Sequence, residues 1–411
     1  MNISTFRAFK SPNYRLFFFG QSFSLIGTWM QRTAVYWLIY IQTHSSFVLG
    51  VTAFATQFPS FLFSLFGGIV SDRYNRFRVL LFTQIASMIQ ASLLALLVLW
   101  KHASVWEILV FGVALGIINA FDVPARQSLI HDMVNAKDDL ANAIALNSSM
   151  VNLARLTGPA IAGIVLERFG AGICFLANAA SFVAVLVSLL LMKLPKHVKY
   201  VPTKKAVGDF REGLDYLKQT PSIGFIILLL ACISFLVLPF TTLLPVYAKE
   251  IFKGNASTFG YLNSFIGLGA IGGTFFLASL KPGTDLKRIL FINTCIFGAG
   301  LILFSHTTNL PLALLFALIT GFGMMSQTTI SNTIIQTTVA PGMRGRVISY
   351  FAMAFFGMLP LGGLLIGFVS QSIGAPNTIL AEGIAAILIT CLFYLFLSKY
   401  RLNRNKRVRV T

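Results

Sequence analysis

Long apolar stretches separated by short polar loops recur along the whole chain of 411 residues. Each stretch reaches or exceeds the roughly 20 apolar residues that an α-helix needs to cross a bilayer. We predict twelve membrane-spanning helices, at about 15–41, 47–71, 77–99, 105–125, 141–166, 170–192, 222–248, 256–280, 287–306, 309–339, 347–371 and 376–398. The expected fold class is therefore an all-α integral membrane protein.

One long hydrophilic stretch, residues 193–220, interrupts this pattern and divides the spans into six and six. The predicted domains are a six-helix bundle at 1–192, a cytoplasmic linker at 193–220, a second six-helix bundle at 221–398 and a basic cytoplasmic tail at 399–411. Within the linker, Phe210, Leu214 and Leu217 recur at helical spacing. This spacing predicts an amphipathic helix on the inner membrane surface.

The composition agrees with a membrane protein. The chain is 56% hydrophobic and only 11% charged, with a mean hydropathy of +0.78. Soluble domains of this length carry about twice that share of charged residues, roughly 25%. The first apolar run is too long for a cleavable signal and follows a basic start.

The net charge of +19 would suggest a nucleic-acid partner in a soluble protein. Most of the 32 Lys and Arg, however, lie in segments that share one side of the membrane if the N-terminus is cytoplasmic. This bias predicts that both termini lie in the cytoplasm. A nucleic-acid partner is therefore unnecessary, and the basic tail is expected to contact anionic membrane lipids.

Cysteine and histidine give no indication of a metal site or a cofactor. The four Cys are far apart within apolar runs, and the five His lie in loops or at span ends. No nucleotide-binding loop with a Gly-Lys ending is present. A membrane enzyme would be expected to cluster His, Glu, Cys or Asp within its spans, so an enzyme is a remote alternative.

The loop between the second and third predicted spans combines an acid with several arginines. Gly68, Val70, Asp72, Arg73 and Arg76 fill successive positions of a glycine-x-leucine-small-aspartate-arginine-x-glycine-arginine pattern. This loop resembles the signature of the major facilitator superfamily. Asn75 stands where the family has glycine, and we expect it to adopt the left-handed backbone that Asn tolerates.

The resemblance implies a secondary transporter built from two six-helix repeats that rock about a central site. The first and fourth spans of each half would line the cavity. The chain departs from the family at the start of the fourth span, because Ile108 and Gly112 stand where a proton-coupling arginine is expected. The usual proton-coupling scheme is therefore in question.

The fifth span carries Ala154, Gly158, Pro159, Ala162 and Gly163. This sequence resembles the antiporter motif of the superfamily, with alanine replacing two of its glycines. Small residues let helices approach closely, and a proline removes a backbone donor, so we expect a bend or hinge here. Simple tight packing is the alternative. Pro360 is the counterpart in the eleventh span.

Two arginines lie within predicted spans, and both are candidate substrate ligands. Arg155 lies roughly 22 Å along the fifth span from its inner end, where an unpaired charge costs on the order of 3 kcal/mol or more. The candidate substrate-binding residues are Gln31, Arg32, Asn152, Arg155, Asn332 and Gln336. A structural bridge between Arg32 and Glu107 is the alternative for Arg32.

The inner face supplies the candidate conformational residues. Asp122 and Arg126, near Asp72 and Arg76, could form a latch that breaks when the cavity opens inward. We predict gating roles for Gly68, Asp72, Arg73, Arg76, Asp122, Arg126, Gly158, Pro159, Pro360, Arg344 and Arg346.

Four stretches give a narrower resemblance. They begin at Gln21, Pro124, Asn178 and Arg344, and they resemble the bacterial efflux branch that contains the enterobactin exporter. The branch implies a monomeric protein of the bacterial inner membrane that exports a siderophore or an amphipathic compound by proton exchange. Because the two arginines favour an anionic substrate, we predict proton-coupled export of a small amphipathic or anionic compound, such as a siderophore or a drug. Uptake of a siderophore or other solute, or lysophospholipid flipping, on the same fold are the alternatives.

Overall fold

The structure is a computed structural model, and it describes residues 3–134, 136–194, 206–281 and 283–408. Within these ranges every regular element is a helix, so the all-α fold class is confirmed. Residues 195–205 of the predicted linker lie outside the described residues, as do the side chains of the basic tail.

Six long helices form the first half of the chain. They are α1 (Pro12–Thr43), α2 (Ser46–Arg73), α3 (Arg76–Leu99), α4 (Val105–Met133), α5 (Leu140–Phe169) and α6 (Ala171–Leu191). The shortest of them has 21 residues, which spans about 31 Å and matches the hydrocarbon core of a bilayer. Short 3-10 turns precede α1 and α5.

The second half begins with the predicted linker helix. Its helices are α7 (Ala206–Gln219), α8 (Pro221–Ile251), α9 (Ala256–Ala278), α10 (Leu286–Ser305), α11 (Leu310–Thr338), α12 (Pro341–Ile373) and α13 (Ala375–Val408). Two of them are irregular. A 3-10 segment at Leu238–Leu243 and a π-helical turn at Tyr247–Ile251 interrupt α8, and a second π-turn at Met353–Gly357 interrupts α12.

Eleven helices in the described part of the chain are long and apolar enough to cross a membrane. The remaining predicted span is α1, whose 32 residues include Arg15 and Arg32. The chain is therefore a multi-pass membrane protein.

The packing divides the chain into two compact units. Of the described residues, the first unit contains 3–134, 136–194 and Pro245–Ser264, and the second contains 206–244, 265–281 and 283–408. The C-terminal end of α8 and the start of α9 thus pack with the first six helices. In the second unit, α7 is fixed to the start of α12, where Arg346 Nη1 lies 2.7 Å from Glu212 Oε2.

Candidate substrate site on helices α1 and α5

The first unit brings its two intramembrane arginines to one tryptophan. The Arg32 Cζ atom lies 5.2 Å from the centre of the Trp29 ring, and the Arg155 Cζ atom lies 5.7 Å from it. Both distances are within the range of a cation–π interaction. Trp29 and Arg32 come from successive turns of α1, and Arg155 comes from the middle of α5.

Neither arginine has an acidic partner. Among the described residues, no carboxylate forms a salt bridge with Arg32 or Arg155, and neither guanidinium forms a hydrogen bond. The alternative bridge from Arg32 to Glu107 is not formed. Glu107 instead caps its own helix, where its Oε2 atom accepts from the Ser104 backbone N–H at 2.7 Å.

The close approach of α1 and α5 explains why both arginines reach Trp29. A Cβ atom added to Gly158 would lie 2.5 Å from Trp29 Cβ and 3.1 Å from the Ile26 carbonyl oxygen. Any larger residue at 158 would push the helices apart. The small residues of α5 therefore permit the contact that assembles the cluster.

One face of α5 extends this cluster toward the inner end. Asn152 lies one turn before Arg155 and is half-buried, and Ser148 lies one turn further and is exposed. The Ser148 hydroxyl donates to the Ile144 carbonyl oxygen of its own helix at 3.0 Å. Asn152 is thus the polar side chain of this face that is open to a ligand beside Arg155.

Gln31 lies elsewhere. It is only 2% exposed, and its Nε2 atom donates to Gln90 Oε1 at 3.0 Å. Its Oε1 atom accepts from Asn178 Nδ2 at 2.7 Å. In this conformation Gln31 therefore links α1 to α3 and α6 instead of facing the arginines. The difference of one residue from Arg32 rotates its side chain by about 100° around the helix.

The second unit holds the remaining two candidates on α11. Gln336 is exposed, and its Nε2 atom donates to Oδ1 of the half-buried Asn332 at 3.0 Å. The two amides thus form one polar patch, because they lie one helical turn apart on the same face.

Buried polar contacts surround Asp122 near the inner end of α4. Asp122 is 5% exposed, and its Oδ1 atom accepts from Thr83 Oγ1 at 2.9 Å and from Gln84 Nε2 at 2.7 Å. Its Oδ2 atom lies 3.3 Å from Arg126 Nε. This part of the predicted latch is present in the structure.

The other part of the latch has different partners. Arg76 pairs with Asp132, with 3.7 Å between Nη1 and Oδ2, and not with Asp72. Asp72 and Arg73 are exposed, as is Arg344. Arg346 pairs with the linker helix through Glu212.

One detail of the signature loop differs from the sequence-based expectation, and a second was not predicted from the sequence. Asn75 has φ −66° and is not left-handed, and its Oδ1 atom caps α3 by accepting from the backbone of Phe77 and Arg78. A Cβ atom added to Gly68 would meet nothing within 4 Å, whereas one added to Gly67 would collide with the Ala120 backbone. The glycine that brings α2 onto α4 is therefore Gly67.

The sequence did not indicate the contacts of residues 245–264 within the first unit. Glu167 at the end of α5 accepts from Asn255 Nδ2 at 2.6 Å and from the Ser257 hydroxyl. A Cβ atom on Gly260 would lie 2.6 Å from the Pro159 carbonyl oxygen, and Gly163 packs closely on Ser257. The motif residues Pro159 and Gly163 thus form a tight interface with the start of α9. Pro360 is buried in α12, close to Gly362, which approaches the Phe235 backbone.

The family model described as a transmembrane secretion effector matches residues 3–407. The chain belongs to this family of the major facilitator superfamily. The resemblance found in the signature loop is thereby confirmed. Membership of this family makes the protein a transporter rather than a membrane enzyme.

Similar transporters are known from several bacteria. The chain is 29% identical to the staphyloferrin A transporter of Staphylococcus aureus, with 94% of this chain and 97% of that protein covered. It is 24% identical to the enterobactin exporter EntS of Escherichia coli, with 97% and 95% covered. It is 22% identical to the multidrug efflux pump Tap of Mycolicibacterium fortuitum, with 86% and 88% covered.

Solved structures of other transporters share the fold. A bacterial homologue of the human lysosomal transporter Spinster, inward-facing and unoccupied, superposes with a TM-score of 0.73 at 16% identity, covering 93% of this chain and 97% of that one. A variant of the nucleoside transporter NupG gives 0.75 at 12% identity, covering 94% and 99%. At these identities the likeness concerns the fold alone.

Proposed function

We propose that this transporter exports a small anionic compound of the siderophore class in exchange for protons, by alternating access. The observation that carries this proposal is the pair of arginines beside Trp29, neither of which has an acidic partner among the described residues. Two unneutralised guanidinium groups within a bilayer are unfavourable by themselves and become favourable when an anion binds between them.

The chemistry of the cluster favours carboxylates with an aromatic or apolar body. A guanidinium group donates two parallel hydrogen bonds to one carboxylate, and such charge-assisted pairs are stronger than neutral hydrogen bonds. The indole offers a flat apolar surface close to both charges. A ligand with at least two carboxylates on a compact body fits this arrangement, with Asn152 as a further donor. Gln31, Asn332 and Gln336 remain predicted contacts.

The names of similar proteins support a siderophore as the cargo, since one is a staphyloferrin A transporter and another an enterobactin exporter. The test is transport by the purified full chain in liposomes with an imposed pH gradient. We expect a carboxylate siderophore to accumulate against its gradient and a cationic dye not to do so. Uptake of the dye without any anionic probe would overturn the proposal.

Variants of the two arginines make this test specific to the site. We expect Arg155→Gln and Arg32→Gln each to weaken binding of the anionic probe about tenfold or more, because each removes a hydrogen bond to a charged group. The matched control is Arg168→Gln, at the exposed outer end of α5. If the control weakens binding as much as Arg155→Gln, the effect is one of general charge.

Lysophospholipid flipping is the second candidate function. An apolar groove of about 450 Å³ between α1 and α6 favours it, since Phe23, Ile26, Met30 and Ala180 line a space suited to an acyl chain. A labelled lysolipid added to the same liposomes tests this alternative. Its movement between leaflets, without accumulation of any siderophore, would favour flipping over export.

A further inference from the structure

Among its described residues, the second unit buries one acid, Glu382, that has no hydrogen-bond or ion-pair partner. Glu382 lies on α13 and is 2% exposed. Neither of its carboxyl oxygens has a hydrogen-bond partner. Among the acids whose side chains the structure describes, the other two buried ones, Asp122 and Asp139, are paired with Arg126 and Arg7. Glu382 is therefore an exception that needs an explanation.

No described residue donates a hydrogen bond to the Glu382 carboxyl group. It belongs to the buried stripe of α13 that includes Thr378, Ala386 and Thr390. The Thr378 hydroxyl donates to the Gly374 carbonyl oxygen at 2.8 Å, and the Thr390 hydroxyl donates to that of Ala386. Both hydroxyls nearest to it along the stripe are thus used within their own helix.

The facing helix is α10, and it approaches closely at this level. A Cβ atom added to Gly383 would lie 2.8 Å from the Gly298 carbonyl oxygen and from Ile302 Cγ1. Glu382 itself is 2% exposed, so its carboxyl group is shielded from water. The hydroxyl of Thr294, one turn before Gly298, donates to the Leu290 carbonyl oxygen of α10.

No cation on the packed elements balances a negative charge here. The segments packed on α13 are Pro221–Leu236, Leu238–Leu243, Leu286–Ser305 and Met358–Ile373. We include the described part of α13 and the histidine that follows α10. Besides Glu382, the titratable side chains of these segments are Cys232, Lys287, Arg288, Cys295, His306, Cys391 and Tyr394. Arg288 is ten residues from Gly298, about 15 Å along the helix, and His306 is about 12 Å away.

An ionised carboxylate in this position would lack water, donors and a counter-charge, and such a state is strongly unfavourable. Glu382 must therefore hold its proton in the conformation described. The proton can leave only when the packing around α13 opens and water reaches the carboxyl group. A group that is neutral when buried and ionised when wetted takes up one proton and releases one proton per conformational cycle.

We propose that Glu382 is the proton-binding residue that couples proton entry to export, and that it acts in the second unit apart from the arginine cluster. This inference rests on the proton exchange in the proposed function. The step is a simple proton transfer, in which the carboxylate takes one proton from water on one side and returns it to water on the other. The substrate is carried by the first unit's arginines and does not react.

The decisive variant is Glu382→Gln, which keeps the shape of the neutral acid but cannot release a proton. In liposomes with the anionic probe, one exchanged proton sustains about a tenfold substrate gradient per unit of pH. We expect Glu382→Gln to lose this gradient while exchange of labelled for unlabelled probe, without a pH gradient, stays within about twofold of the unmodified protein. Accumulation at the unmodified level would overturn the proposal.

Two controls separate a coupling role from a structural one. Glu107→Gln changes an exposed acid that caps α4, and it is expected to retain the gradient. Glu382→Asp retains a carboxyl group, and it is expected to recover part of the gradient that Glu382→Gln loses. If Glu382→Gln fails to fold, a complete loss of the gradient in a folded Glu382→Asp would count against a proton site.

A second measurement needs no substrate. Dicyclohexylcarbodiimide adds to protonated carboxyl groups in apolar surroundings and forms a stable acylurea without a leaving group. Mass spectrometry of the unmodified protein should find this adduct at Glu382, and its yield should fall as the pH rises. An adduct at Glu382 whose yield does not change with pH would overturn the proton site. A pH-dependent adduct in a protein that moves no anionic probe would overturn the proposed function alone.

Discussion

Charged residues within the apolar spans are the most distinctive single residues of this transporter. Arg32 and Arg155 stand out in the sequence because charges are rare within apolar spans. Their contact with Trp29 could not be predicted, because hydropathy does not specify how α1 and α5 rotate toward each other. For the same reason the sequence predicts Gln31 as a substrate ligand beside Arg32, although its amide lies in a buried network with Gln90 and Asn178.

The variants Asp122→Asn and Asp72→Asn form a matched pair that tests the predicted latch of the first unit. Asp122→Asn removes the charge that Arg126 requires in a largely buried position. Breaking a buried pair costs about 3 kcal/mol, so we expect the Tm in detergent to fall by about 5 °C. Asp72→Asn changes an exposed side chain and should leave the Tm unchanged.

Transport by the same two variants tests the latch that the sequence suggested. The Asp122→Asn variant should transport more slowly because its inner contacts are weakened, whereas Asp72→Asn should be close to the unmodified protein. Unaltered stability and transport in both variants would rule out an inner latch at Asp122.

Helices as elements follow from the sequence more directly than their contacts do. Apolar length identified each span because a bilayer requires about 20 residues of it. The predicted fourth span ended at residue 125, whereas α4 continues to Met133. Hydropathy marks where the bilayer ends, but backbone hydrogen bonds can continue a helix into water.

Two adjacent glycines of α2 show that hydropathy also does not predict which residue of a helix contacts its neighbour. Gly67→Val would force α2 away from the Ala120 backbone, and we expect lower yield and a Tm reduced by several degrees. Gly68→Val is the control, since a Cβ atom there meets nothing within 4 Å. Equal loss of stability in both variants would show that α2 packs on α4 with another rotation.

At the scale of the whole molecule, the all-α fold and the superfamily were accessible from the signature loop and the apolar runs. The association of Pro245–Ser264 with the first unit could not be predicted from either of these features. It depends on pairs distant in the chain, such as Glu167 with Asn255, that no local pattern reveals.

The orientation in the membrane is a prediction of the charge distribution. Reporter fusions after residue 411 and before residue 1 should both be active on the cytoplasmic side, in line with an even number of crossings and with the positive-inside rule. A fusion after residue 169, which ends α5, should report the opposite side. Termini on different faces would contradict the twelve-span topology.

The proximity of Trp29 to two guanidinium groups has an optical consequence. The emission of an indole shifts with the electric field along its ring, and here that field comes from two positive charges at close range. An occupant that cancels these charges changes the colour of the emitted light without any attached dye. We therefore expect the emission of Trp29 to report whether an anion is bound at the candidate site.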